Sequence, residues 1–208
     1  SGERNTALGY QALDSADDCD DSIAIGYQAL GGTDANANNK NIAIGNYAMD
    51  ANMTGATNNV AVGHQALSAI TNGDSNVAVG YLAGAAITTG GNNVIIGKEA
   101  GDGFTANTTM TLIGSEAGTA INSNNANGTV AVGYQSLASL TSGATNTALG
   151  TRSGDAANTA SGSVFLGNNA GGTVTTGNQN IAIGLDSMNG GTTTGDNNIA
   201  IGASAGDA

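Results

Sequence analysis

The sequence predicts an all-β chain, a parallel β-solenoid, and three observations carry that reading. A short apolar phrase returns at near-constant spacing along the whole length, each phrase closes on a glycine, and no proline interrupts any of them. Asn59-Val-Ala-Val-Gly63 returns as Asn76-Val-Ala-Val-Gly80, seventeen residues on. Composition argues against an ordinary core: of 208 residues 34 are Gly, aromatics make up 3%, and Trp is absent. Such low complexity signals either disorder or a repeat architecture, and the periodicity decides for the repeat.

Aligned on the closing glycine, the repeats end at Gly9, Gly26, Gly45, Gly63, Gly80, Gly97, Gly114, Gly133, Gly150, Gly167, Gly184 and Gly202. That makes twelve coils of about 17 to 19 residues covering residues 1–208 as a single repeat domain. The residue before each glycine is aliphatic, and three before it stands Val or Ile in nine repeats and Thr in the others (Thr6, Thr111, Thr147). Between them is Ala, replaced by Ile95, Leu112 and Phe165 in three coils. Apolar residues at alternate positions share a face only at period two, so each phrase is a short strand. A strand this short is stable only when stacked on its neighbours, about 4.8 Å apart, which gives a rod roughly 55 Å long.

The other columns follow from the same geometry. Glycine at the strand's end admits a sharp corner with φ > 0, and Ala or Ser three residues later keeps the opposite wall close. Asn before the strand can bond backbone at the preceding turn and stack into a ladder. An apolar column about seven residues after the glycine (Ile70, Ile87, Phe104, Ile121, Leu140, Val174) often opens a φ-T-x-G phrase. Repeats longer by one or two residues should bulge at one corner, as at residues 31–40 and 119–128. Each strand has Val/Ile on one face and Ala on the other, so a lone rod leaves one apolar stripe exposed, which favours a homotrimer. Which face looks inward the pattern leaves open.

The phrases DSIAIGYQA (Asp21 to Ala29), NNVAVGHQA (Asn58 to Ala66) and GSVFLGNNA (Gly162 to Ala170) resemble the N-S-V-A-I-G-x-x-S repeat of the head domain of trimeric autotransporter adhesins. Similar repeats occur in trimeric phage tail fibres. The resemblance implies a left-handed parallel β-roll whose three copies pack around one axis as a surface-exposed adhesive tip or shaft. That family's repeat is shorter, near fourteen residues, so an 18-residue triangular left-handed β-helix stands as the alternative cross-section. No coiled-coil heptads, neck or anchor motif accompany the repeats.

The formal charge is −12, from 16 acidic residues against Arg4, Lys40, Lys98 and Arg152. A chain so poor in Lys and Arg is unsuited to nucleic acid or anionic membrane. Cys19 is the only cysteine, so no disulfide framework forms within the chain. The start at Ser1, without Met or a signal-like stretch, reads as a mature or excised portion of something longer.

Chemistry-bearing residues are few. His64 is the only histidine and occupies the column of Tyr10, Tyr27, Tyr81 and Tyr134, so a surface role is favoured and a zinc enzyme is excluded. Asp17, Asp18, Asp20 and Asp21 flank Cys19 and are the candidate metal ligands, although their spacing matches no calcium loop and a solvated acidic turn is favoured. Glu99 and Glu116 each stand two residues after a repeat glycine and should stack one coil apart, at a separation two glycosidase carboxylates could use. Without the aromatics of a sugar cleft, like charges on a solvent face are the simpler reading. Thr-rich turns (Thr88-Thr89, Thr175-Thr176, Thr192 to Thr194) raise ice binding, but the pairs recur irregularly.

The expectation is therefore a non-enzymatic, extracellular solenoid of a trimeric adhesin or fibre, without cofactor, on a cell surface or virion. Its partners would be itself and a receptor, matrix component or glycan, with no nucleic acid. A filament joining rods end to end through uncapped edges at residues 2–9 and 199–202 is the second reading.

Overall fold

The computed structural model describes residues 2–14, 19–32 and 39–207. It is an all-β solenoid with one three-residue strand per repeat. The strands are β1 (Thr6–Leu8), β2 (Ile23–Ile25), β3 (Ile42–Ile44), β4 (Val60–Val62), β5 (Val77–Val79), β6 (Val94–Ile96), β7 (Thr111–Ile113), β8 (Val130–Val132), β9 (Thr147–Leu149), β10 (Val164–Leu166), β11 (Ile181–Ile183) and β12 (Ile199–Ile201). They pair in chain order as one parallel sheet, column on column: Val60 lies beside Val77, Ala61 beside Ala78 and Val62 beside Val79. The triangular alternative would need three sheet walls. Among the described residues one sheet forms, the remainder of each coil is turn, and an isolated bridge joins Val174 to Thr193. The longer coil at 119–128 keeps Ile121 in the core and spends its extra residues in an exposed turn around Asn124 and Asn125.

The question of which strand face looks inward is resolved. Ala24, Ala43, Ala61 and Ala78 are fully buried, as are Ile95, Leu112 and Phe165 in the same column, while the Val/Ile columns on either side point outward and are half-buried or exposed. Volume explains the choice. The inner column shares a narrow core with the buried Ala/Ser column and the Ile70–Ile87–Phe104–Ile121 column, so a large inward residue is admitted only where a neighbour shrinks. Leu112 and Phe104 fill the space over Gly101, where a Cβ would fall 2.6 Å from Leu112 Cδ1 and 2.9 Å from Phe104 Cε1. Most coils with Ala inside carry Leu or Met at the Gly101 position instead, as Leu30, Met49, Leu67 and Leu137 do.

The twelve repeat glycines have φ between 125 and 140°, a region open to glycine alone. A second reason for glycine is the stacking itself: a Cβ on Gly26 would lie 2.7 Å from the carbonyl oxygen of Gly45. Three further columns per coil are left-handed, at positions where the sequence mostly supplies other residues. In one coil these are Asn58 (φ 60°), Gln65 (φ 56°) and Leu67 (φ 50°). The reversals turn alternate N–H groups toward opposite neighbours, so Gln65 N–H donates to Asn46 O (3.0 Å) and Leu67 N–H to Ala83 O (3.1 Å). Each left-handed L-residue costs roughly 1–2 kcal/mol, and bonds to the coils on both sides offset it.

Inside the wall runs the asparagine ladder. Asn76 Nδ2 donates to Asn59 Oδ1 (3.0 Å) and to Gly90 O (2.9 Å), while Asn76 Oδ1 accepts from Asn93 N (3.2 Å) and Asn93 Nδ2 (2.9 Å). These buried amides are satisfied by one another, which makes the ladder stabilising where it is unbroken.

Candidate binding surface

The acidic turn places its described carboxylates in structural bonds. Asp20 Oδ1 accepts the Glu3 N–H at 2.7 Å, and Asp20 N–H donates to Asn39 Oδ1 at 2.8 Å, part of a column in which a side-chain oxygen receives the N–H of the coil before. Asp21 pairs with Arg4, stacked one coil below, and that guanidinium holds its carboxyl below the usual range. Asp17 and Asp18 lie outside the described residues. Among the described residues no group of three or more His, Cys, Asp or Glu side chains is placed to hold a metal ion. Cys19 is buried beside Ser22, with Sγ to Oγ at 3.2 Å, and burial pushes its thiol up.

Glu99 and Glu116 do stack one coil apart, with a cation beside them. Lys98 Nζ lies 3.0 Å from Glu99 Oε2 and 4.0 Å from Glu116 Oε1, and Gln135 Nε2 donates to Glu116 Oε2 at 2.7 Å. Arg152 Nε continues the stripe to Gln135 Oε1 at 3.3 Å. The arrangement is a run of mutually compensated side chains along one edge. Three half-buried aspartates border the same edge: burial raises the carboxyls of Asp50, Asp102 and Asp155, and at Asp102 the charges of Glu99 and Glu116 add to it.

Within the Thr column, three hydroxyls are turned to the backbone of the next coil. Thr71 Oγ1 donates to Thr88 O (3.1 Å), Thr88 Oγ1 to Thr105 O (3.2 Å) and Thr141 Oγ1 to Asn158 O (3.1 Å). They stitch coils together.

The tyrosines are not scattered. Tyr10 stacks on Tyr27 with ring centroids 5.7 Å apart and planes 10° from parallel. Tyr27 meets Tyr47 edge to face at 5.2 Å, Tyr47 meets His64 at 5.8 Å, and His64 stacks on Tyr81 at 5.6 Å. Five consecutive coils thus carry one unbroken aromatic ladder. Tyr47 falls one residue later than its fellows, with Asn46 in the column of Tyr27, which hides the continuity from a column count. His64 is a member of this exposed column, and Tyr134 stands apart from it three coils on.

The internal order breaks at two adjacent coils. Met110 and Thr129 take the ladder position of asparagine, where Ser22 and Ser163 still accept the next coil's N–H through their hydroxyls, and Asn107 occupies a column that the other described coils fill with small residues such as Cys19, Ala56, Gly73, Gly90 and Ala126. Both amide atoms of Asn107, and Thr129 Oγ1, are buried without a hydrogen-bond partner.

Among the described residues no helix is long and apolar enough to cross a membrane. A scan against protein-family models finds no match, and a search of curated proteins finds none either.

Proposed function

We propose that this chain is a structural and adhesive segment of an extracellular fibre, in which three copies pack side by side through their outward Val/Ile faces and hold a binding surface away from a cell or virion. The observation that carries the reading is the outward stripe itself. Two columns of Val, Ile, Leu and Thr run the length of the rod, and Ile44, Ile96 and Leu149 are exposed in the single chain. Roughly 55 Å long and two side chains wide, the stripe covers on the order of 500 Å², as large as the patches that mark interaction sites on soluble proteins. Its likeness to the repeats of trimeric autotransporter heads supports the same assembly and an adhesive role.

Val62→Asp with Val79→Asp tests it. Both positions face outward, so the variant should keep the β-sheet circular dichroism of the parent and lose the trimer. A variant that stays trimeric, or a parent that is monomeric, contradicts the proposal.

A further inference from the structure

The two columns that follow each repeat glycine set the first five coils apart from the seven that follow. In the first five coils they read Tyr10-Gln11, Tyr27-Gln28, Asn46-Tyr47, His64-Gln65 and Tyr81-Leu82, with no Asp, Glu, Lys or Arg. In the next four they read Lys98-Glu99, Ser115-Glu116, Tyr134-Gln135 and Thr151-Arg152. The continuous aromatic run therefore ends between Tyr81 and Lys98, and charged residues enter these columns only beyond it, at Lys98, Glu99, Glu116, Arg152 and Asp186. Coil packing does not require the change, because the backbone bonds are the same on both sides: Leu82 N–H donates to His64 O at 3.0 Å and Glu99 N–H to Tyr81 O at 2.8 Å.

From this edge we infer that the first five coils bind a neutral, linear, β-linked polysaccharide lying parallel to the rod along the Tyr10–Tyr27–Tyr47–His64–Tyr81 ladder. Three properties of the ladder select that chemistry. The rings recur every 5.2 to 5.8 Å, so the surface offers one rung per coil to a polymer with a short, regular repeat. Each rung pairs an apolar ring with a phenol, amide or imidazole, groups that both donate to and accept from sugar hydroxyls. The two columns of the strip carry no Asp or Glu and no Lys or Arg, and the half-buried Asp50 borders them beside His64 in a chain of net charge −12, which leaves an anionic polymer repelled and without a cation in the strip to hold it. The strip is also accessible: Tyr10 is 70%, Tyr27 39% and Tyr81 46% exposed. Ring pairs that stack on one another are already ordered, so binding freezes few side-chain rotors.

This inference rests on the adhesive reading above and names its ligand class. Trp is absent and four of the five tyrosines are in the ladder, so intrinsic tyrosine fluorescence reports on the site directly. The full chain is titrated with hexasaccharides of β-1,4-glucose, β-1,4-mannose and β-1,3-glucose, with hexagalacturonate as the charged control. Saturable binding of at least one neutral hexasaccharide is expected, at least tenfold weaker in Tyr27→Ala with Tyr81→Ala and within twofold of the parent in Tyr134→Ala. Tyr27→Phe, which removes only a hydroxyl, separates lost hydrogen bonding from lost structure and should weaken binding while leaving the thermal midpoint unchanged. Failure of all three neutral sugars to bind overturns the inference, as does a preference for hexagalacturonate or binding indifferent to the ladder variants. If cells or matrix are still bound by the Tyr27→Ala, Tyr81→Ala chain, the adhesive reading survives and the ladder's role alone is refuted.

Discussion

Replacing Asn107 by Ala should stabilise the solenoid, whereas the same replacement at Asn76 should weaken it severely. Asn107 is buried with neither amide atom bonded, and in the other described coils its column holds Gly, Ala or Cys19. An unpaired buried polar group costs about 1–3 kcal/mol, and the void left by three heavy atoms offsets about 1 kcal/mol of the relief. The net expectation is a gain of about 1 kcal/mol, a rise of roughly 2–4 °C in the thermal midpoint of a chain this size. At Asn76 four hydrogen bonds to Asn59, Gly90 and Asn93 disappear and leave buried partners unpaired, for a loss of about 3 kcal/mol or more. Circular dichroism followed through heat and urea measures both. If Asn107→Ala loses stability on the scale of Asn76→Ala, its amide has a buried partner such as a bound water, and the assignment of Asn107 as an unsatisfied buried amide is refuted.

Three further outcomes follow from the backbone and the core. Thr145, exposed and β-branched at φ 57°, shares its column with Gly128 and Gly162, so Thr145→Gly should gain about 0.5–1 kcal/mol, and a measured loss would show that the left-handed column is not strained. Gly101→Ala should cost about 1–3 kcal/mol through overlap with Leu112 and Phe104, and Leu112→Ala in the same chain should recover part of it; additive losses would contradict the size exchange. Burial raises Asp102, so the folded state holds its proton more tightly than the unfolded state does. That contribution is full below about pH 4 and is lost as pH rises through the folded-state value. Asp102→Asn should therefore stabilise the protein at pH 7 and not at pH 3, as paired denaturation curves at the two pH values would record.

Strands, corner glycines, stacking register and the asparagine ladder were readable because each depends on one residue type recurring in one column. The direction of the sheet was not, since Ala and Val/Ile are both apolar and only the core's width separates them. Left-handed positions were hidden for a different reason. Backbone bonds to two neighbouring coils hold Gln65, Leu67 and Asn58 in place, so no glycine marks the Gln65 column, only Gly128 and Gly162 mark that of Asn58, and the glycines of the Leu67 column, such as Gly84 and Gly101, alternate with Leu and Met. Tyr47 shows the limit of column counting, because a ring displaced by one residue still reaches its neighbours at 5.2 and 5.8 Å. The bonds of Asp20 and Asp21 were not legible, because the carboxylates serve the backbone of the coil before and an arginine stacked beside it, partners that only the stacking of coils brings near.

The most direct test of the central claim is the mass of the chain in solution, measured by light scattering across a wide concentration range. A constant value near three times 20.0 kDa is expected if the outward Val/Ile faces bind one another around an axis. A value of 20.0 kDa at every concentration would contradict it, and a mass that grows steadily with concentration would replace the closed trimer with an open filament.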